Sequence, residues 1–413
     1  APRRWPQLAI LSLSVLLSLS AWLTATALGP ELQARWSLDA TQVGWLTSVV
    51  QLGFVAGTAT AALTNLADTM PLRGYFAVSA VLAAAANALL LWVPGYGAAL
   101  VARFLTGFFL AGVYPPSMKM VSTWFRSSRG LAIGTVVGAL TVGKASPYLL
   151  RVMGNPDGST VIVGATAAGL AAALLVGAGY RDGPFEFPRR GFEWRRLGRV
   201  LRHRPTMLAT GGYLGHMWEL YAMWTLIALF FAEYFGLRGA APARGTVLAA
   251  IVAFLVIGAG GLGAVFAGRW ADRFGRERAA IVAMAASGAC ALTLGWLTSA
   301  PPWLVIGLAL IWGFTIVADS AQFSAIVTER APADAVGTAL MFQTMAGFAL
   351  TGISIQLASR MAAAVGWGPA FSVLGLGPAL GILAMTRLQP GAPSRGISPA
   401  VEGDAYQIDD EAR

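Results

Sequence analysis

The chain is poor in charge, cysteine and histidine, and each shortage excludes something. Of 413 residues only 12% are Asp, Glu, Lys or Arg, about half the ~25% that a water-facing protein carries. A soluble globular protein is therefore excluded. The single cysteine, Cys290, rules out an intramolecular disulfide. One of the two histidines, His203, lies in a polar interval and the other, His216, in an apolar run, so no two-His zinc site is available among the apolar segments. The H-E-x-x-H, P-loop and G-x-S-x-G patterns are all missing. No enzyme, metal site or cofactor is expected, and ATP bound to this chain does not drive it.

What is present is apolar. Hydrophobic residues make up 56% of the sequence and the mean hydropathy is +0.65. A bilayer core of about 30 Å needs roughly 20 apolar residues in a helix. Runs of that kind fall at residues 8–28, 43–63, 74–93, 98–119, 130–150 and 161–180, then 207–232, 247–267, 279–297, 304–328, 337–357 and 369–385. The first is too long for a signal-peptide core and lacks a following small-residue cleavage site, so it is expected to remain a span. The 49 glycines suit helices that pack closely in lipid. The fold class expected is an all-α polytopic membrane protein of twelve transmembrane helices.

Charge distribution gives orientation. The N-terminus, alternate loops and C-terminus hold 22 of the 29 Lys/Arg, and the opposite loops hold 5. Basic loops stay inside, so both termini are expected in the cytoplasm of a bacterial-type inner membrane. The net charge of +10 is thus topological, and no nucleic-acid partner is expected. Residues 181–206 form a basic cytoplasmic linker whose arginines suit an interfacial helix against anionic headgroups. They separate an N-terminal half, 1–180, from a C-terminal half, 207–388; the tail, 389–413, is rich in Pro, Gly, Ser and acids and is expected to be disordered. Trp36, Trp92, Trp303 and Trp367 are expected as anchors at the outer interface.

The halves repeat. With an offset of 204, Asp68 aligns with Asp272 and Gly57 with Gly261, each at the inner end of the second helix of its half. The second copy reads Gly268-Arg269-Trp270-Ala271-Asp272-Arg273-Phe274-Gly275-Arg276. This resembles G-x-x-x-D-R-x-G-R, the signature loop of the major facilitator superfamily. The first copy keeps Asp68 and Arg73 without the glycines. Arg103-Phe104-Leu105-Thr106-Gly107 resembles that family's R-x-x-x-G pattern in helix 4. Gly130, Gly134 and Gly138 share one face of the fifth span, which lacks the Gly-Pro pair of the antiporter signature and reads Gly143-Lys144-Ala145-Ser146-Pro147 instead. In texture the chain is also similar to bacterial cyanate/nitrate-type porters, although it lacks their Gly-rich signature and has no arginine in helix 2 or 8. The resemblance implies two pseudo-symmetric six-helix halves, alternating access, a central cavity lined by helices 1, 4, 7 and 10, and gating loops at Asp68, Arg73, Gly268, Asp272, Arg273, Gly275 and Arg276.

Charges inside lipid are costly and usually serve a cavity. They are Arg103, Lys144, Glu219 and Asp319, with His216 when protonated. His216 and Glu219 are three apart and share a helix face, about 13 and 18 Å into the seventh span at ~1.5 Å per residue. Glu219 with His216, and Asp319 as a second acid, are candidates for proton coupling; a fixed structural bond is the alternative for each. Lys144 is either a contact for an anionic substrate or a structural partner of Glu219 or Asp319. Arg103, Tyr114, Tyr221, Trp224, Gln343 and Trp22 complete the candidate substrate site. The reading is a proton-coupled secondary transporter, monomeric, whose partners are protons, lipid and a small, polar, anionic solute. A drug or metabolite:proton antiporter, with Glu219 and Asp319 attracting a lipophilic cation, is the alternative. A lipid-handling or sensor protein of the same fold is a remote one.

Overall fold

The computed structural model describes residues 4–64, 66–125, 129–153, 158–185, 194–332 and 334–388, and these contain no strand. Inside lipid a backbone must satisfy its own N–H and C=O groups, which a helix does within one segment. Eleven helices among the described residues are long and apolar enough to cross a membrane. We number twelve elements. They are α1 (Arg4–Leu19), α2 (Ala40–Leu63), α3 (Leu72–Ala88), α4 (Tyr96–Leu110), α5 (Arg129–Met153) and α6 (Ser159–Gly179). The second half comprises α7 (Arg204–Gly236), α8 (Pro242–Phe274), α9 (Arg276–Leu294), α10 (Pro302–Ala318), α11 (Val336–Val365) and α12 (Leu376–Thr386).

The ends differ from the hydropathy reading where polar residues join a helix. α7 and α8 are 33 residues each, about 50 Å at 1.5 Å per residue, so they reach beyond the ~30 Å hydrocarbon core. α1 is short, and its run continues after a break as Thr24–Ala27 and Gly29–Trp36. α2 begins sharply because Asp39 and Gln42 form a capping box, with bonds of 2.8 Å in both directions. Trp92 and Trp303 are exposed, as interface anchors should be, but Trp367 is not. Its indole packs on Phe230 and Phe371 and its Nε1 donates to Glu233 at 2.9 Å, so it belongs to the core.

The packing repeats between halves. α1 packs on α6 and α5, α2 on α4, and α3 on α6 and α4; six helices later α7 packs on α12 and α11, α8 on α10, and α9 on α12 and α10. The halves meet where α5 lies along α8 and α2 along α11. At the first contact the backbones nearly touch: a Cβ on Gly138 would stand 2.8 Å from the Gly261 carbonyl oxygen. In the linker, helix Trp194–Arg202 buries Val200 and joins Arg199 to Asp334 at 2.5 Å, just ahead of α11.

Candidate functional site

Three elements break near the centre of the molecule, and the breaks build the site. In α1 the Ser20 hydroxyl donates to the Leu17 carbonyl at 2.6 Å, and the Thr24 hydroxyl to that of Ser20 at 3.2 Å. Local bonds of this kind compete with the helical ladder, and helix resumes only at Thr24. The Ala21 and Trp22 carbonyls at the break accept instead from the Arg103 guanidinium of α4, at 3.0 Å for Ala21. Arg103 also donates to Asn87 Oδ1 at 3.3 Å and is fully buried. It lines no cavity described here, and its geometry is that of a cap on the α1 break. α4 breaks after Leu110 and restarts as Tyr114–Ser122, where Pro115 and Pro116 occupy first-turn positions that need no N–H bond. α10 turns at Asp319 before Ser320–Arg330.

Lys144 of α5 occupies the middle. Its Nζ lies 3.8 Å from the Trp22 ring centroid, 4.6 Å from that of Tyr221 and 5.4 Å from that of Trp224, and it donates to the Tyr221 hydroxyl. The side chain is 1% exposed. No carboxylate among the described residues pairs with it, so the ion pair with Glu219 or Asp319, the alternative to a solute contact, is not formed. Each ring contact is worth about 0.5–2 kcal/mol, whereas withdrawing an ion from water costs several kcal/mol. Aromatic faces alone replace only part of the lost hydration.

The expected partnership of His216 and Glu219 is also not formed. The two side chains share a broad face of α7, but different neighbouring helices claim them. His216 Nδ1 lies 2.8 Å from Asp319 Oδ1, and its Nε2 lies 2.9 Å from Ser320 Oγ. A proton on Nδ1 facing the carboxylate leaves Nε2 to accept from the serine hydroxyl. Glu219 turns away and accepts from Ser287 Oγ at 2.8 Å and from Trp312 Nε1 at 2.6 Å. Neither donor was foreseen; Ser287 is a lone hydroxyl in an apolar run, and Trp312 carries no distinguishing sequence signal.

A pocket of about 50 Å³ is lined by Trp22, Tyr114, Lys144, His216, Tyr221 and Trp224 among others. Tyr114, Val137, Ser324 and Thr344 also line a larger cavity of about 430 Å³, whose mouth carries Lys119, Arg276 and Glu329 at the basic end. Gln343 is buried but lines neither cavity. It lies one turn before Gly347, which packs directly on Tyr213, and its amide has no partner among the described residues.

The opposite end is closed. Gln356 of α11 donates to Ser48 Oγ of α2 at 3.1 Å, and a Cβ on Gly44 would stand 2.9 Å from Ser359 Oγ. The Tyr148 hydroxyl crosses from α5 to the Trp224 carbonyl at 3.4 Å. Arg151 donates to Ala27 O and pairs with Glu31, each at 2.5 Å. Burial pushes the Glu31 carboxyl above its ordinary value, and the Arg151 guanidinium pulls the other way.

At the basic end the signature loop is assembled. Gly275 has φ +96°, a conformation that favours glycine, and it turns α8 into α9. A Cβ on Gly130, at the start of α5, would lie 2.7 Å from both Asp272 oxygens, so this acid sits over the N-terminal turn of the facing half. Arg276 lies 3.8 Å from Asp272 and 2.8 Å from Glu329, and Arg330 pairs with Glu277 at 2.6 Å. Gly268 packs its Cα side 3.1 Å from the Gly130 oxygen, measured to a built Cβ, and Arg273 stacks on Phe274 with its guanidinium 5.3 Å from the ring centroid. Arg73 is exposed. Asp68 lies in the short helix Leu66–Thr69, and its side chain falls outside the described residues.

A family model described as Major Facilitator Superfamily matches residues 10–355. The fold is similar to that of the human organic anion transporter TETRAN, with TM-score 0.72 and 16% identity, covering 93% of this chain and 100% of that one. It is equally similar to a D-xylose-proton symporter, with TM-score 0.72 and 16% identity over 94% of this chain and 98% of the other. A bacterial homolog of the human lysosomal transporter Spinster, in an inward-facing and unoccupied conformation, gives TM-score 0.64 and 16% identity over 94% and 95%. No curated protein sequence matches the chain.

Proposed function

The chain belongs to the Major Facilitator Superfamily, and from its central site we propose a proton-coupled transporter of a small anionic solute. The likenesses to solved structures establish the fold; the solute class rests on this chain's own residues. One observation carries it: Lys144 presents an ammonium, without a carboxylate partner among the described residues, in a pocket that adjoins the larger cavity at the basic end. An anion arriving there completes the ion pair that the protein leaves unmade. A lipophilic cation would meet that ammonium first. The acids that would attract it are engaged, Glu219 off the pocket by Ser287 and Trp312, and Asp319 by His216.

The proton is assigned to His216, which lines the pocket with Ser320, and to Asp319 behind it. A second proton on the imidazole lets Nε2 donate to Ser320, whose hydroxyl can rotate, so the pair loads without losing a bond. Glu219 is assigned to holding α7 against α9 and α10. With the basic end in the cytoplasm, the described state faces inward. Transport then requires the α2–α11 contacts around Gly44 and Ser48 to part while the basic end closes. Asp272 and Arg276 are assigned to tuning that closure, and Asp68 and Arg73 to the matching role in the first half.

Uptake of labelled small carboxylates into proteoliposomes, with the voltage clamped and an inward proton gradient imposed, tests this. Accumulation that collapses when an ionophore dissipates the gradient is expected. No carboxylate accumulation, together with gradient-driven extrusion of a preloaded lipophilic cation, would replace the reading with the antiporter.

A further inference from the structure

The two cavities differ in size and in chemistry, and the difference constrains the solute. The inner pocket measures about 50 Å³. A water needs about 10–15 Å³ of such space, so the pocket takes about three to five non-hydrogen atoms, enough for one carboxylate group. Among the described residues its wall holds one cation without a carboxylate partner, Lys144, since His216 faces Asp319. It also holds two indole rings, Trp22 and Trp224, whose buried Nε1 donors have no acceptor among the described residues. One anionic head of two or three oxygens matches that set of donors. A second negative charge on the same solute would lie in the membrane interior without a counter-ion among the described residues, which disfavours its binding.

The outer cavity is about 430 Å³, within the ~300–1,000 Å³ range of small-molecule sites, and adjoins the pocket, with Tyr114, Val137, Ser324 and Thr344 lining both. Most of its wall area is apolar, from side chains such as Ala111, Met118, Ile133, Ala325, Leu340 and Met341. Its charged residues, Lys119, Arg276 and Glu329, stand at the mouth, and Arg276 is matched by Glu329. Along α5 the distance from Lys144 to Gly130 is about 20 Å at 1.5 Å per residue. That length is far more than a small polar anion occupies.

We propose that the solute is an amphipathic monoanion, held head-first by Lys144 and the Trp22 and Trp224 rings, with its apolar body lying in the outer cavity. The proposal rests on the anion reading of the same site and narrows it from small polar anions to aliphatic or aryl monocarboxylates. Burial of each methylene against the apolar wall tightens binding about three- to fourfold.

The test uses the full chain in nanodiscs and reads tryptophan fluorescence, with Lys144→Met in the same lipid as the control for partitioning. The ligands are butyrate, hexanoate and octanoate, then suberate, octanol and octylamine. Octanoate is expected to bind at least tenfold more tightly than butyrate, and suberate and octanol at least tenfold more weakly than octanoate. Lys144→Met should remove the preference for octanoate over octanol. Ala325→Phe, which narrows the outer cavity, should weaken octanoate at least tenfold and butyrate by much less. Affinity independent of chain length, or suberate binding as well as octanoate, overturns the amphipathic proposal while leaving the small-anion reading in place. Octanol binding as well as octanoate overturns the head-group assignment. Binding of octylamine alone overturns both.

Discussion

Replacing Lys144 by Met keeps an unbranched side chain, one atom shorter, and removes its charge. In the described state the ammonium is offset by three ring faces, at 3.8, 4.6 and 5.4 Å, and by the Tyr221 hydroxyl, with no carboxylate among the described residues. Removing a buried cation that lacks a counter-ion relieves a desolvation cost of several kcal/mol and sacrifices contacts of about 0.5–2 kcal/mol each. The variant should therefore melt at the same temperature as the parent or above it. Solute binding should move the other way. Deleting one side of a desolvated charge pair costs about 2–5 kcal/mol, or roughly thirty- to several-thousand-fold in affinity. Lys144→Arg should not rescue, because the planar guanidinium fits a different set of contacts. The assays are calorimetric titration of the anion and a thermal melt of the same preparation. A variant that melts much lower while binding the anion within threefold of the parent would refute the argument, since Lys144 would then be a structural cation.

Other residues separate in the same way. Asp319→Asn or His216→Gln should reduce gradient-driven uptake more than tenfold while leaving solute exchange without a gradient within about threefold. Glu219→Gln should bind solute normally, because its amide can donate to Ser287 and accept from Trp312; Glu219→Ala should lower stability by about 1–3 kcal/mol by orphaning the Trp312 N–H, read by thermal melt. Arg103→Met leaves the Ala21 and Trp22 carbonyls without their donor, and a loss of about 1–3 kcal/mol in stability is expected, with weaker binding only as a consequence. Gly44→Leu should prop the outer end open against Ser359, raising the labelling of a cysteine placed at Ser48 from the outside and slowing transport more than tenfold.

The membrane fold was legible because lipid imposes so few solutions. Charge depletion and runs of about 20 apolar residues point to spanning helices, and the loop ending in Gly275 and Arg276 carries both a positive-φ turn and a charge lock. Helix breaks were not legible. Residues 8–28 read as one apolar run, and only the Ser20 and Thr24 back-bonds show where α1 stops. Arg103 looked like a group for solute because its carbonyl partners lie 81 and 82 residues away. Glu219 and His216 looked like a pair because they are neighbours on α7, yet their partners lie 68 to 104 residues away. Trp22, Tyr221 and Trp224 were each readable as polar or aromatic lining. Their convergence on one ammonium follows only from the packing of α1, α5 and α7.

The central claim is that anion and proton travel together through the Lys144 site. It is tested most directly by a pH-sensitive dye trapped inside proteoliposomes, with carboxylates or lipophilic cations added outside at matched pH. The account predicts internal acidification that requires a monocarboxylate, exceeds passive leak in empty vesicles, and is abolished by Lys144→Met. Acidification absent with every carboxylate, together with proton efflux on adding a lipophilic cation, would contradict it.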